Sequence, residues 1–444
     1  MNTGLSPEAR AIYTAGFTEA LAAQPPSPRW LLAARKEAFV DFLERGWPTT
    51  KQEDWRFTDV APLLTPPWLP GAAATAALSF DSGLLELGGG LGHRLVFVDG
   101  RHAADQEAWI PPPPGLVLEP LSATIHEGAS PIRPVVGQQV ASGNAFTALN
   151  IAFMTDGAFV HVPAGLEVEA PIFLVFLAAA ESGTSYPRSV VVAGANSRAT
   201  IVEVHLGADR TATRSDAVTE ILLEPDARLA YHTISRLSPL GCHIGHLAVT
   251  QKGGSDFRAH SLALDGRLLR NDAHVVLAEA GCACQLDGLY LAADNSHIDN
   301  QTSIDHRAPR CQSRESYRGV VAGRGQAVWS GRAVVRPGAH GTDARQSNRT
   351  LILADGAVVH AKPHLEIFTS DVKCSHGATT GHLDPEALFY LRSRGIDEQE
   401  ARQILIAAFL REGLSAVADA ALREGLEAML ANRTRELTHE GGAA

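Results

Sequence analysis

From about residue 146 to residue 380 the chain repeats one cadence: a short β-rich run, a tight turn holding a small residue, then another run. The runs include Ala158–Val162, Ile172–Phe176, Ser189–Val192, Thr200–Val204, Glu220–Leu223, His246–Val249, Val275–Leu277, Ala327–Trp329 and Leu351–Leu353. Nearly all are bounded by Gly, Asp, Asn or Pro, as strands are. The turns Ala193-Gly194-Ala195, Pro225-Asp226-Ala227, Ala280-Gly281-Cys282, Arg324-Gly325-Gln326 and Asp355-Gly356-Ala357 lie roughly 30 residues apart with a wider gap. A unit this short cannot bury a face alone and must stack on its neighbours, so the expected fold is mainly β, a β-solenoid. A sandwich or barrel would show more Asn-Gly hairpin turns, which are scarce, and a doubly wound α/β fold would show βαβ alternation, which is absent.

Helical patterns flank this region. Ser6-Pro7-Glu8 is a helix start, with a capping hydroxyl, Pro at the first helical position and an acid in the first turn; Ser27-Pro28 repeats the device. Leu31, Ala34, Ala38, Phe39, Phe42 and Leu43 then keep helical spacing up to Gly46 and Pro48. Their polar face, Arg35, Lys36, Asp41, Glu44 and Arg45, is expected in solvent. Glu53-Asp54-Trp55-Arg56 sets an aromatic ring among charges and reads as a tertiary anchor. Residues 115 to 145 carry little pattern. After Asp384-Pro385-Glu386 the spacing is helical again, through a first segment ended by Gly395, a second capped by Asp397 with Glu400 at the capping-box position, and a third from Ser415 to about Leu430. The tail Thr434–Ala444 is expected to fray. The expected domains are 1–90, helical with a linker; 91–383, the solenoid; and 384–444, helical.

Several function classes are excluded. A formal charge of −11 argues against binding along a phosphate backbone. The longest apolar run, Ala170 to Ala180, falls short of the ~20 residues that span a bilayer. No secretory leader is evident, and five cysteines are not a disulfide framework, so the expected location is the cytoplasm. No G-x-x-x-x-G-K-[ST], G-x-S-x-G or H-E-x-x-H motif occurs. The chain therefore holds no nucleotide-binding or self-contained enzyme signature.

Four groups of residues could carry chemistry. In Asp371-Val372-Lys373-Cys374-Ser375-His376-Gly377-Ala378-Thr379, strand alternation puts Cys374 and His376 on one face. Thiolate and imidazole are preferred ligands in zinc and iron–sulfur chemistry, but two donors are half of a four-coordinate site. Cys282 and Cys284 share a strand face and read as stacked interior residues. Cys242, His243 and His246 lie near a turn. His297, Asp299, Asp305 and His306, with Cys311, form a polar ladder in which Asp299, Gln301, Ser303 and Asp305 take one face and Asn300, Thr302, Ile304 and His306 the other. An alternative reading gives Asp299, Asp305 and His306 to a β-solenoid hydrolase or lyase acting on polysaccharide.

The combination of Asn348-Arg349-Thr350-Leu351-Ile352-Leu353, Lys362-Pro363-His364-Leu365-Glu366-Ile367, the Asp371–Thr379 stretch and Leu388-Phe389-Tyr390-Leu391-Arg392-Ser393-Arg394-Gly395-Ile396 closely resembles the SufB/SufD family of iron–sulfur cluster assembly proteins. Glu53-Asp54-Trp55-Arg56 resembles its N-terminal motif, and Phe146–Asn150 and Asp299–Tyr317 resemble its central region. The Lys-Cys-Ser-His form is similar to the SufD branch. The resemblance implies a right-handed parallel β-helix between helical terminal domains, acting as a non-enzymatic scaffold. It implies assembly with SufB through the C-terminal edge of the β-helix and with the ATPase SufC through the C-terminal helices, leaving open a homodimer when SufB is absent. It also implies that Cys374 and His376 hold iron or a nascent cluster transiently, shared with SufB, while ATP is hydrolysed by SufC.

Overall fold

The structure is a computed structural model that describes residues 5–25, 27–71, 92–104, 110–127, 133, 135–137, 144–179, 183–208 and 211–440. Most of the linker expected before residue 90 and the last four residues of the tail lie outside these. The described strands are β1 (His93–Val98), β2 (Arg101–His102), β3 (Val117–Pro120), β4 (Ala158–Val162), β5 (Ile172–Ala178), β6 (Arg188–Ala193) and β7 (Arg198–Gly207). They continue with β8 (Arg214–Leu223), β9 (Arg228–Arg236), β10 (Cys242–Gln251), β11 (Asp256–Leu264), β12 (Leu268–Leu277) and β13 (Ala283–Ala292). The last are β14 (His297–His306), β15 (Gln312–Val321), β16 (Gln326–Val335), β17 (Thr342–Ile352), β18 (Val358–Ile367) and β19 (Val372–Gly381).

From β4 on, each strand pairs in parallel with the strand two places later, so even and odd strands form separate sheets. This is the expected β-solenoid, with two strands per coil. The nine-stranded sheet runs β18 to β3 and the ten-stranded sheet β19 to β2. Turns between them use left-handed backbone at Asn196, Asp226, Asp265 and Asp294, with φ of 54° to 59°. Asn and Asp tolerate this region because their short side chains bond locally. The core between the sheets is apolar and includes Leu229, Phe257, Cys284, Ile298, Ile304 and Trp329.

Both outer faces are covered. The helices Pro7–Ala23, Arg29–Arg45 and Ala145–Phe153 bury Phe17, Phe39, Phe42, Phe146 and Phe153 with Trp55 and Trp68, and join Ile244 and Leu268 on the nine-stranded sheet. The helices Glu398–Leu414 and Ala420–Glu440 press Ile406, Leu410, Leu414, Leu422 and Leu426 onto Val202, Leu262, Leu289 and Val320 of the ten-stranded sheet. Ser6 accepts from the Ala9 amide and Asp397 from that of Glu400, as helix caps. Three local expectations differ. Ser27 makes no cap, and Pro28 stands there instead. Arg35 is buried, because its helix packs on Ala145–Phe153, where it donates to the Ala152 carbonyl. The last helix runs to Glu440, since Leu430 and Leu437 still pack on the apolar surface beneath it.

The Glu53–Thr58 segment reaches across the solenoid as an anchor. Trp55 is buried, with the Arg270 guanidinium 3.7 Å over its ring and Phe146 stacked at 5.4 Å. Thr58 donates to Asp299 at 2.5 Å, and Arg270 pairs with the same carboxylate at 2.5 Å. The segment extends to β18, where Phe57 stacks on His360 at 4.0 Å and Glu53 pairs with Lys362.

Candidate functional site

Cys374 and His376 lie on β19, the last strand of the ten-stranded sheet. Register decides which way they face. Cys374 pairs with Ala344, which continues down through Ser313 and Cys284 to Phe257 in the core. His376 pairs with Gln346, above Glu315 and Leu286. Because in-register parallel neighbours share a face, both side chains sit on the interior side of the coil. Among the described residues no further coil follows, so Cys374 is only half-buried and His376 is exposed. Burial pushes the Cys374 thiol up, which favours the protonated form.

The edge itself is open. β19 bonds only to β17 and β18 only to β16, which leaves the outer backbone groups of two ten-residue strands unpaired within the described chain. Such an edge is a template for another chain. Among the described residues, no three His, Cys, Asp or Glu side chains converge as a metal-binding group. On this chain Cys374 and His376 thus make a pair of donors, short of a full coordination shell.

Among the described residues the other candidates form no metal-binding group. Cys242 faces outward among apolar residues, with its thiol pushed up to about 11 by burial. His243 stacks inside near His205 at 4.4 Å, while His246 faces outward to Asp272 at 3.4 Å. Burial lowers both imidazoles, that of His246 to about 3. Cys284 lies in the core, and Cys282 and Cys311 are buried at successive coil corners, both donating to the Glu279 carbonyl, at 3.1 and 3.3 Å.

The ladder from His297 to His306 has the two faces expected of it. Asp299 is outside, tied to Arg270 and Thr58; Asp305 is outside, between Arg307 at 2.9 Å and Arg336 at 2.8 Å. His306 turns inward to Ser313 at 2.9 Å. Six residues of strand separate the two carboxylates by about 20 Å, beyond the ~5–9.5 Å a glycosidase pair needs. The polysaccharide reading has no site here.

Sequence reasoning missed two surfaces. One is a groove of about 1080 Å³ between the Glu53–Trp55 turn and the nine-stranded sheet, whose cations are matched: Arg332 pairs with Glu366 at 2.8 Å and Lys362 with Glu53. The other lies on the helix Pro385–Ser393, where Phe389 is 74% and Tyr390 57% exposed beside Ile404 and Leu405. The apolar spacing of this helix was visible in sequence, but not that its large side chains would remain uncovered.

The chain is similar to known proteins over most of its length. The family described as "SUF system FeS cluster assembly, SufBD core domain" matches residues 176–409. The chain is 29% identical, over 91% of its length and 91% of the relative's, to an iron–sulfur cluster assembly SufBD family protein of Synechocystis. It is 28% identical to the iron–sulfur cluster assembly protein SufD of Escherichia coli, covering 88% of this chain and 90% of that one. A SufBD family protein of Mycobacterium tuberculosis is 32% identical over 68% of this chain and 75% of its own length.

Proposed function

The chain belongs to the SufBD family of SUF iron–sulfur cluster assembly proteins, and from that premise we propose that it is a SufD-type scaffold supplying Cys374 and His376 to an assembly site completed by a partner. The observation that carries this reading is the open coil end, where both donors sit on the interior face of an unpaired strand edge. SufB is the partner that would lie against β18 and β19. Iron or a nascent cluster is the cargo; a thiolate and an imidazole suit it, and the remaining ligands come from SufB. The residues 384–444 form the docking unit for the ATPase SufC. Its exposed Phe389 and Tyr390 are the sort of aromatic anchors that protein interfaces concentrate. ATP is hydrolysed by SufC, and its motion exposes the shared edge.

His376→Ala tests the site. The variant is expected to co-purify with SufB and SufC as wild type does, yet to abolish maturation of iron–sulfur enzymes in cells. Normal maturation would remove His376 from the site. Cys374→Ala is expected to be milder, since partner ligands can substitute.

A further inference from the structure

A metal-binding imidazole works best when its second nitrogen is held by a hydrogen bond, which fixes the tautomer and aims the ring. What lies directly beneath His376 therefore matters. In the column below it, Gln346 is 4% exposed and Glu315 3%. The Gln346 amide nitrogen donates to one Glu315 oxygen at 3.1 Å, and the Thr302 hydroxyl donates to the other at 2.6 Å. Burial raises the Glu315 carboxyl to about 7; above that pH it only accepts, so the amide is oriented: nitrogen toward Glu315, oxygen away from it. That oxygen is buried and has no hydrogen-bond partner among the described residues. A buried orphan acceptor forfeits its hydration without compensation, so a donor is wanted at this place. Successive coils lie about 4.8 Å apart, and the side chain on the next coil of the column is His376. The Cys374 column has no counterpart, for Ala344 lies beneath it.

We propose that Gln346 is the positioning residue for His376: its amide oxygen accepts the imidazole N–H, holding the ring in one tautomer with the second nitrogen free toward the open end. Glu315 and Thr302 act through Gln346 by fixing which end of the amide faces up. The idea rests on His376 being a cluster donor, but it is measured separately.

The test uses the full chain with nitrogen-15-labelled histidine, at a pH well above 7 where Glu315 is ionised and the ring neutral, with His376 assigned through His376→Ala. Wild type is expected to show one protonated and one unprotonated ring nitrogen. Gln346→Met keeps the length and loses the acceptor, and should give two averaged nitrogens. In the complex with SufB and SufC it should weaken iron binding about 10-fold or more. Averaged nitrogens in wild type, or an unchanged spectrum in a folded Gln346→Met, overturn the proposal. Should Gln346→Met fail to fold, Glu315→Gln takes its place: it frees the Gln346 amide to rotate and must shift the His376 signals, and no shift overturns the proposal. A locked ring together with normal maturation in His376→Ala would keep the positioning role and discard the cluster role. An averaged ring with lost maturation would do the reverse.

Discussion

At the residue scale, the anchor shows how a few side chains fix a long segment. Arg270 is 2% exposed and meets Asp299 at 2.5 Å, Asp272 at 2.9 Å, the Asp54 carbonyl at 2.9 Å and the Trp55 ring. A buried cation is tolerated only with partners of this number, and removing one leaves charge uncompensated. Asp299→Ala should therefore destabilise the fold by about 3 kcal/mol, the low end for a broken buried pair because Asp272 remains. Urea unfolding monitored by Trp fluorescence checks this; a loss within experimental error would show that Asp272 alone neutralises Arg270. Trp55 was legible as an anchor because a ring among charges needs a burial site. Arg35 was not, because whether a helical arginine meets solvent or another helix is decided by packing that the sequence does not display.

At the element scale, the two outward histidines beneath the C-terminal helices set an acid limit. His232 and His260 lie 6.2 Å apart on the ten-stranded sheet, and burial lowers their pKa values to about 4 and about 3. The groups facing them are Asp419, whose charge raises His232, and the Gly413 backbone beside His260. Both folded values lie below the unfolded value near 6.5, so the unfolded state binds more protons as pH falls. The stability they contribute is complete above pH ~6.5 and is lost on the way down toward pH ~4. Between pH 7 and 5, hydrogen-exchange protection, corrected for the slower intrinsic exchange at lower pH, should fall in Glu398–Leu414 and Ala420–Glu440 before it does in the strands beneath them. Simultaneous loss of protection in both would contradict this. The same sheet shows why sequence revealed about one strand per coil. β9 and β11 carry His232, His260, Thr233 and Ser261 among their apolar residues, and the two histidines are buried only because neighbouring elements cover them. Turn residues and coil spacing were local signals; cover was not. The Cys374–His376 face could be read from alternation alone, whereas Gln346 beneath it required the register between coils.

At the scale of the whole molecule, the solenoid depends on its flanking helices for cover as much as for docking. The C-terminal helices conceal Val202, Val204, Leu206, Leu262, Leu289 and Leu291 on the outer face of the ten-stranded sheet. A contiguous apolar face of this kind drives association once exposed. A chain ending at residue 383 should then elute from size exclusion as aggregate and bind a hydrophobic dye, and a dispersed, dye-negative monomer would refute the idea. Deleting the helices is thus a poor probe of ATPase docking; Phe389→Ser with Tyr390→Ser, on the exposed side, should abolish co-purification of SufC at unchanged melting temperature. The anchor has a further consequence, in time. Glu53 and Phe57 rest on Lys362 and His360, some 309 residues later in the chain. At the ~5–20 residues per second of synthesis, the N-terminal arm waits roughly 15–60 s for its seat to be made. Until then the growing solenoid ends in a bare edge, and the arm settles fully only when the coil that carries the open end has formed.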